Sequence, residues 1–334
     1  MATGAARAAP PDGKLVAMGD HASKTPRRLI IFPGALGDLI CAAPAMRWLA
    51  SRAPGVETEL MARAELARFA VGRLGFVHGH SLDRREVGHL FVSERISSEA
   101  RAFFGGFAEV HSFFASADPA FRASLTATTG GRADCYPFRP EGAGHITRRY
   151  LDAVGAPPEA PAETSLEPYS EDLDAADDRL ESVGLARGEF VAIFPGSGAA
   201  AKNWPAANFV AIAERLVAPL RPLIILGPAE NALEPIFAAR RLPLLCNLEL
   251  AEVAAIMRRA AGFVGNDSGV SHLAAAAGAP GLAIFGPTDP ERWRPRGRVA
   301  IIRREPLAMT TVVEVMDILL RVIAGDGSTR SADG

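Results

Sequence analysis

The stretch of sequence that decides the fold is residues 262–295, GFVGNDSGVSHLAAAAGAPGLAIFGPTDPERWRP. Its apolar opening is typical of a buried strand, and the cluster Asn-Asp-Ser-Gly at 266–269 ends that strand. The side-chain oxygens of the cluster favour capping of a helix of small residues over 270–277. We therefore predict a helix that begins at the carboxyl end of a strand.

The amino end of such a helix is suited to binding an anion. Its first backbone N–H groups have no partners within the helix, and the helix dipole places partial positive charge there. A second predicted strand, 281–285, leads into a rigid polar loop at 286–290, at the same edge of the sheet. The two loops are therefore expected to converge on one anionic ligand, such as a diphosphate.

The rest of the chain alternates between strand and helix patterns in two halves. The first half opens with an apolar strand over 28–33, a glycine-containing turn and a helix to about residue 53. A more regular alternation begins at residue 190, beyond a Pro-rich stretch at 155–168 that is typical of a linker. This alternation predicts two α/β halves with mainly parallel sheets and a cleft between them.

The individual elements follow from apolar runs and helical periodicity, whereas 78–106 gives no clear pattern and is a candidate substrate-specific surface. The other predicted strands are 57–62, 109–114, 190–194, 223–226, 244–246 and 299–303, and the other predicted helices are 64–71, 119–128, 145–154, 172–185, 206–216, 232–240, 251–260 and 311–323.

Composition excludes several classes of protein. The 334 residues are 49% hydrophobic, which allows a full core and suggests two domains. With 36 basic and 38 acidic residues, a broad nucleic-acid surface is not expected. The 3 cysteines lie far apart and favour a reducing cytoplasm over a disulfide framework. No apolar run of about 18 residues predicts a membrane helix, and the first residues lack the apolar core of a secretory signal.

Two strand ends of the second half carry groups suited to a nucleotide. The turn Pro-Gly-Ser-Gly at 195–198 exposes backbone amides and a hydroxyl, and Lys202 can reach back as a point charge for a phosphate. Alternatively, the turn is an ordinary one and the lysine is solvated. Glu230 follows strand 223–226, where it can accept hydrogen bonds from ribose hydroxyls or merely favour the next helix start.

Asp38 follows a glycine at a predicted helix start. Such an aspartate is usually a cap, but at a cleft edge its carboxylate can also take a proton from an attacking hydroxyl. His272 lies one turn into the helix at 270–277, where it either donates to a ligand or is buried, and His145 is expected to be structural. Asp-Leu-Asp at 172–174 matches the D-x-D of metal-dependent sugar transfer, but its place on a helix beside the linker predicts no metal site.

Four blocks of sequence, in this order and at these separations, resemble the ADP-heptose:lipopolysaccharide heptosyltransferases of glycosyltransferase family 9. They are GALGDLICAAPAMRWL (34–49), FPGSGAAAKNWPAANF (194–209), LGPAE (226–230) and the segment 266–295. The resemblance covers nearly all of the chain from Arg27 to Ile323 and is densest in the second half.

The resemblance implies an α/β fold of the GT-B class, with two Rossmann-like domains that face each other across a central cleft. Together with composition, which predicts the tails and the linker, it divides the chain into a flexible tail (1–26), an acceptor-binding domain (27–156), a linker (157–170), a nucleotide-sugar-binding domain (171–309), a C-terminal helix (310–324) and a second flexible tail (325–334).

The resemblance also implies an inverting, metal-independent transfer of heptose from ADP-heptose to a lipopolysaccharide core acceptor, without a cofactor. Asp38 would be the base. The implied donor contacts are Ser197, Gly198 and Lys202 at the diphosphate, Glu230 at the ribose, Leu248 beside the adenine, and Asp267, Ser268, Gly269, Val270 and His272 at the helix start, with Asp267 facing the sugar. Candidate acceptor contacts are Arg63, Thr288 and Asp289.

Other functions stay open at this point. Residues 33–36, Pro-Gly-Ala-Leu, replace the hydroxyl-bearing residues that heptosyltransferases often carry before Gly-Asp, so another nucleotide sugar or surface-glycan acceptor is an alternative. A catalytically silent nucleotide-sugar-binding protein is a second. A nicotinamide-dependent dehydrogenase is disfavoured, because Gly34 and Gly37 lack the G-x-G-x-x-G spacing. A lipid-anchored acceptor would bring a cytoplasmic enzyme into peripheral contact with the inner membrane.

Overall fold

The computed structural model describes residues 25–92 and 96–325. These residues form two compact units, which divide between Ala162 and Glu163. The flexible tails predicted at 1–26 and 325–334 lie outside the described residues, apart from 25–26 and 325.

The first unit is built on a parallel sheet. Its strands are β1 (Arg27–Ile31), β2 (Glu57–Ala62), β3 (His78–Ser81), β4 (Glu109–Ser112) and β5 (Ala133–Cys135). They form a 5-stranded sheet in the order β3-β2-β1-β4-β5. Its helices are α1 (Leu36–Ser51), α2 (Ala64–Ala70), α3 (Arg85–Gly88), α4 (Ser98–Gly105), α5 (Pro119–Thr128) and α6 (Ile146–Ala153). The strand order changes direction at β1, and open α/β sheets bind ligands at the carboxyl ends of strands at such a point.

The second unit repeats this plan. Its strands are β6 (Phe190–Phe194), β7 (Arg221–Leu226), β8 (Leu244–Cys246), β9 (Gly262–Asn266), β10 (Gly281–Phe285) and β11 (Val299–Arg303), paired in the order β11-β10-β9-β6-β7-β8. Its helices are α7 (Ser170–Ser182), α8 (Ala206–Arg215), α9 (Glu234–Ala238), α10 (Leu250–Met257), α11 (Gly269–Ala276), α12 (Pro290–Trp293) and α13 (Val312–Ala324). The order changes direction at β6, which lies between β9 and β7.

The apolar runs of the sequence form the interior strands. All residues of β6, β9 and β10 are buried, as expected for parallel strands that carry helices on both faces. The predicted strands at 57–62, 190–194, 244–246, 281–285 and 299–303 and the predicted helix at 119–128 are confirmed to the residue.

Two predictions of local structure need correction. The single helix predicted over 232–240 is a 3₁₀ helix, Pro228–Leu233, followed by the short α9. Pro228 is the first residue of one piece and Pro235 the second residue of the other, because proline lacks the N–H group that a continuous helix would use at these positions. The segment 78–106, which gave no pattern, contains β3, α3 and α4.

The edge strand β3 was missed because its buried face is polar. Its sequence is His-Gly-His-Ser, and the inward residue, His80, places Nε2 2.6 Å from Oε2 of Glu59 on β2. Both side chains are buried, and Arg27 lies 3.3 Å from the other oxygen of Glu59. A hydrogen-bonded polar pair therefore takes the place of the apolar contact that would have marked the strand.

Acidification is expected to destabilise the first unit through this pair. Burial alone raises the pKa of Glu59, but the hydrogen bond and charge of His80, with the charge of Arg27, outweigh it and hold the pKa below its ordinary value of 4.5. The stabilisation is therefore present above about pH 4.5 and is lost as the pH falls through the lower pKa of the folded protein.

Urea unfolding at a series of acidic pH values measures this loss. The free energy of unfolding should fall less steeply on acidification in Glu59→Gln than in the parent protein. Glu65→Gln, at an exposed glutamate of α2, is the matched control and should keep the parent slope. An unchanged slope in Glu59→Gln would contradict the assignment.

Candidate active site

Asp38 lies beyond the carboxyl end of β1, as the third residue of α1. Its side chain is 6% exposed, and Oδ2 accepts a hydrogen bond from the backbone N–H of Ala35 at 3.3 Å. The interpretation of Asp38 as a helix cap is therefore confirmed. This contact does not exclude a chemical role, because a carboxylate accepts several hydrogen bonds at once.

Both oxygens of Asp38 also bind the guanidinium group of Arg139. The Nε atom lies 3.0 Å from Oδ1, and a terminal nitrogen lies 2.9 Å from Oδ2, the paired geometry in which arginine holds carboxylates most strongly. The hydrogen bond to Asp38 raises the pKa of Arg139, so the group stays a cation. Its side chain is 55% exposed, so the guanidinium remains accessible to an anion in solution.

Aromatic side chains surround this ion pair and fix its position. The ring of Phe32, at the end of β1, packs edge-on against Phe138 and Tyr150, with centroids 5.7 and 6.1 Å apart. Arg139 lies over the ring of Phe138, with Cζ 5.0 Å from the centroid. At Gly34 an added Cβ atom would lie 2.5 Å from Phe32, which leaves no room for a side chain between β1 and α1.

The candidate acceptor contacts lie on both units. Arg63 is exposed and lies between the carboxyl end of β2 and the start of α2. β2 pairs with β1, the strand that precedes Asp38. Thr288 and Asp289 follow β10 in the second unit. Asp289 caps α12, because its Oδ1 atom accepts a hydrogen bond from the N–H group of Glu291 at 3.0 Å. Asp289 therefore has a structural role whether or not it contacts an acceptor.

Asn266, the last residue of β9, joins the loops of the second unit. Its side chain is fully buried, and its Oδ1 atom accepts a hydrogen bond from the backbone N–H of Trp204 at 3.0 Å. Its Nδ2 atom donates to the backbone oxygen of Pro195 at 2.8 Å. One amide thus fixes the turn after β6 and the segment that carries Lys202. Sequence analysis missed this role, although a polar residue at the end of an apolar strand is a usable signal.

Lys202 and Asp267 form an ion pair at this edge of the sheet. The Nζ atom lies 2.7 Å from Oδ2, with side-chain exposures of 33% for Lys202 and 7% for Asp267. The alternative in which the lysine is merely solvated is therefore wrong. Trp204 packs under α8, with its ring 5.1 Å from that of Phe209. The turn after β6 thus brings together two of the predicted donor residues.

Glu230 lies against the turn after β6. Its Oε2 atom accepts a hydrogen bond from the N–H group of Gly227 at 3.0 Å, so its role at the start of the 3₁₀ helix is confirmed. At Gly196 an added Cβ atom would lie 2.1 Å from Cγ of Glu230. Glycine is therefore required at this point for the carboxylate to approach the turn.

The predicted capping of α11 by side-chain oxygens is wrong. Ser268 is the residue before α11, but its side chain makes no capping hydrogen bond, and its Oγ atom lies 3.2 Å from that of Ser271. The oxygens of Asn266 and Asp267 bind Trp204 and Lys202 instead. The first N–H groups of α11 are consequently left without a capping side chain from this cluster.

The remaining predicted donor residues lie on loops at the carboxyl ends of β6, β8 and β9 or at the start of α11. Ser197 donates to Oδ1 of Asn203 at 2.6 Å, which closes the turn that ends at Lys202, and Gly198 is exposed. Gly269 and Val270 form the first turn of α11, while His272, one turn in, is buried. Leu248, in the loop after β8, is half-buried.

Neither a metal cluster nor a membrane span is found in residues 25–92 and 96–325. No group of three or more His, Cys, Asp or Glu side chains is placed there to hold a metal ion. No helix of these residues is long and apolar enough to cross a membrane. Asp172 of the D-x-D sequence accepts a hydrogen bond from the N–H group of Tyr169 at 2.9 Å, as a cap of α7.

A sequence model of the family described as glycosyltransferase family 9 (heptosyltransferase) matches residues 132–317, more than half of the chain. A comparison with curated protein sequences found no match.

Solved structures share the fold of both units. A family 9 glycosyltransferase from Veillonella parvula has a TM-score of 0.75 at 16% identity, over 90% of this chain and 98% of that one. The E. coli ADP-heptose lipopolysaccharide heptosyltransferase II has a TM-score of 0.70 at 18% identity, over 90% and 99%. The E. coli heptosyltransferase WaaC with ADP has a TM-score of 0.62 at 19% identity, over 87% and 98%. The predicted GT-B class is thereby confirmed.

Proposed function

The chain belongs to glycosyltransferase family 9, the heptosyltransferase family, and we propose that it transfers a heptose from ADP-heptose to a lipopolysaccharide core acceptor. Family membership makes it a glycosyltransferase. The choice of donor is supported by E. coli proteins of the same fold, one named for ADP-heptose and one solved with ADP. The observation that carries the proposal is the cation of Lys202 beside the uncapped start of α11, where the strand order of the second sheet changes.

We assign the donor to this edge of the second unit. Lys202, the turn with Ser197 and Gly198, and the first N–H groups of α11 would hold the diphosphate and stabilise it as ADP departs. Oε2 of Glu230 accepts a hydrogen bond from the backbone N–H group of Gly227, which leaves Oε1 for a ribose hydroxyl. Leu248 would contact the adenine. Asp267 would face the sugar. The remaining assigned contacts, at the start of α11, are Ser268, Gly269, Val270 and His272.

We assign the acceptor and the base to the first unit. Asp38 would take the proton of the acceptor hydroxyl, whose oxygen attacks the anomeric carbon while the bond to ADP breaks and the configuration inverts. Arg139 holds both oxygens of Asp38, and a remaining lone-pair site of the carboxylate would accept that proton. An acidic acceptor would draw off the exposed guanidinium, and Arg63 would add a second cation at the same edge of the sheet.

The proposal extends to conditions and place. We propose that the transfer needs no metal ion and no cofactor, with Lys202 supplying the positive charge at the diphosphate. Thr288 and Asp289 are proposed as acceptor contacts from the second unit. Because a lipopolysaccharide core is built on a lipid anchor, we place the enzyme in the cytoplasm, in peripheral contact with the inner membrane.

Calorimetric titration with ADP, UDP, GDP and CMP, each with and without EDTA, tests the donor assignment. ADP should bind most tightly, with or without EDTA, and Lys202→Ala should weaken it roughly 10- to 100-fold, because a charge-assisted bond is lost. Arg240→Ala, which removes an exposed ion pair with Glu214 in the same unit, is the matched control and should leave binding unchanged.

Other outcomes of the titration select among the alternatives. Preference for another nucleotide would keep the family but overturn ADP-heptose as donor. Tight binding of ADP-heptose without transfer to any glycan would indicate a catalytically silent binding protein. Binding of ADP that is abolished by EDTA would contradict the metal-independent mechanism.

A further inference from the structure

Lys202 and Asp267 bind each other in an ion pair, although the proposed function assigns them different ligands. The ammonium group of Lys202 is assigned to the diphosphate and the carboxylate of Asp267 to the sugar, yet the two lie 2.7 Å apart in an ion pair. Among the described residues, Lys202 forms the ion pair with Asp267. While this contact is intact, each group divides its charge between its ion-pair partner and its assigned ligand.

We propose that Asp267 controls the phosphate site by exchanging partners with the donor. In this exchange the ammonium group of Lys202 moves from the carboxylate of Asp267 to the diphosphate, and the sugar hydroxyls of the donor become the new partners of Asp267. The inference rests on the proposed function for the sugar contact, but the exchange at Lys202 requires only a diphosphate.

The structure identifies the lysine as the mobile partner. Asp267 follows β9 directly, its backbone N–H donates to the oxygen of Ile284 at 2.9 Å, and its side chain is 7% exposed, so its carboxylate is fixed. The backbone of Lys202 is fixed by a bond to the oxygen of Ala199, also at 2.9 Å, but its side chain is a third exposed. An ammonium group on a flexible four-carbon stem can turn between two anions without backbone movement.

The exchange gives the donor and the product ADP different affinities for the site. A diphosphate with its sugar supplies an anion for Lys202 and hydroxyl donors for the buried carboxylate of Asp267. ADP alone supplies only the anion, and it leaves a buried carboxylate without its cation, which is unfavourable. After transfer, Asp267 therefore competes for Lys202 and favours release of ADP. On this account Asp267 weakens the binding of the product while it strengthens the binding of the donor.

Removal of the carboxylate is the decisive experiment. Asp267→Asn should bind ADP and inorganic pyrophosphate about tenfold more tightly than the parent protein in calorimetry, because Lys202 no longer has a competing anion. Sugar transfer should fall in the same variant. Asp177→Asn, which removes the shared partner of Arg187 and Arg259 in the same unit, is the matched control and should change neither quantity.

A double-mutant cycle separates the exchange from simple repulsion between Asp267 and the phosphates. The gain in affinity should disappear when Asp267→Asn is made in the Lys202→Met background. A gain that persists there, or an unchanged or weaker affinity in the single variant, would overturn the proposal. Asp267→Ala gives the same test should the Asn variant fail to fold.

The pyrophosphate titration keeps this proposal apart from the proposed function. A tenfold gain with pyrophosphate but no selectivity for ADP would support the exchange and reject ADP-heptose as the donor. Selectivity for ADP without a gain in Asp267→Asn would support the donor and reject the exchange.

Discussion

Asp38→Asn is expected to lower the rate of sugar transfer roughly 10²- to 10⁴-fold, the usual contribution of a general base. The replacement keeps the shape of the side chain and an oxygen for the N–H group of Ala35, but an amide cannot accept the proton of the attacking hydroxyl. Initial rates of transfer from ADP-heptose to a lipopolysaccharide core acceptor measure the loss.

Two controls show whether the loss is chemical. The affinity for ADP should be unchanged in Asp38→Asn, because the proposed donor residues lie in the second unit. Asp118→Asn replaces another aspartate at a helix start of the first unit, the cap of α5, and should keep the parent rate. An unchanged rate in Asp38→Asn would show that another group is the base.

Asn266→Ala is expected to produce the largest loss of stability among these variants and to weaken the donor site as well. It leaves the buried N–H group of Trp204 and the buried oxygen of Pro195 without their partner, at about 1–3 kcal/mol for each group. The turn after β6 loses its attachment to β9 at the same time, so the affinity for ADP should fall in the variants that remain folded.

The free energy of unfolding in urea and the ADP affinity test this role together. Asn266→Asp is the informative comparison, because it keeps the acceptor for Trp204 and loses the donor to Pro195, and we expect an intermediate loss. Asn208→Ala, at a half-buried asparagine of α8, is the matched control and should change neither quantity. Parent-like stability in Asn266→Ala would contradict the role of Asn266 in joining the turn after β6 to the segment that carries Lys202.

The sequence predicts the fold wherever burial is apolar. Strands β6 and β10 were placed to the residue, because a parallel strand covered on both faces must be hydrophobic throughout. β3 escaped because its inward residue, His80, is satisfied by a carboxylate that lies 21 residues away in the chain. β5, Ala-Asp-Cys, has an exposed aspartate at its centre and no apolar run, whereas β8, of the same length, is Leu-Leu-Cys.

The candidate site shows the same division. Asp38 and Lys202 could be proposed from sequence, because each stands next to a turn that follows an apolar strand. Their partners could not. Arg139 lies 101 residues from Asp38, in an irregular segment, and Asp267 lies 65 residues from Lys202, so only the folded chain reveals that each anion already holds a cation.

The hydrogen bonds of Trp204 determine when the proposed donor site can be completed during synthesis. Its backbone N–H binds a side chain 62 residues further along the chain, and its indole N–H donates to the backbone oxygen of Thr310, 106 residues further along, at 3.1 Å. The ribosome synthesises the turn that carries Lys202 long before it synthesises these partners. In a nascent chain, the turn that carries Lys202 therefore lacks these two hydrogen bonds until residue 310 has left the exit tunnel. Nucleotide binding should then be among the last properties that the growing protein acquires.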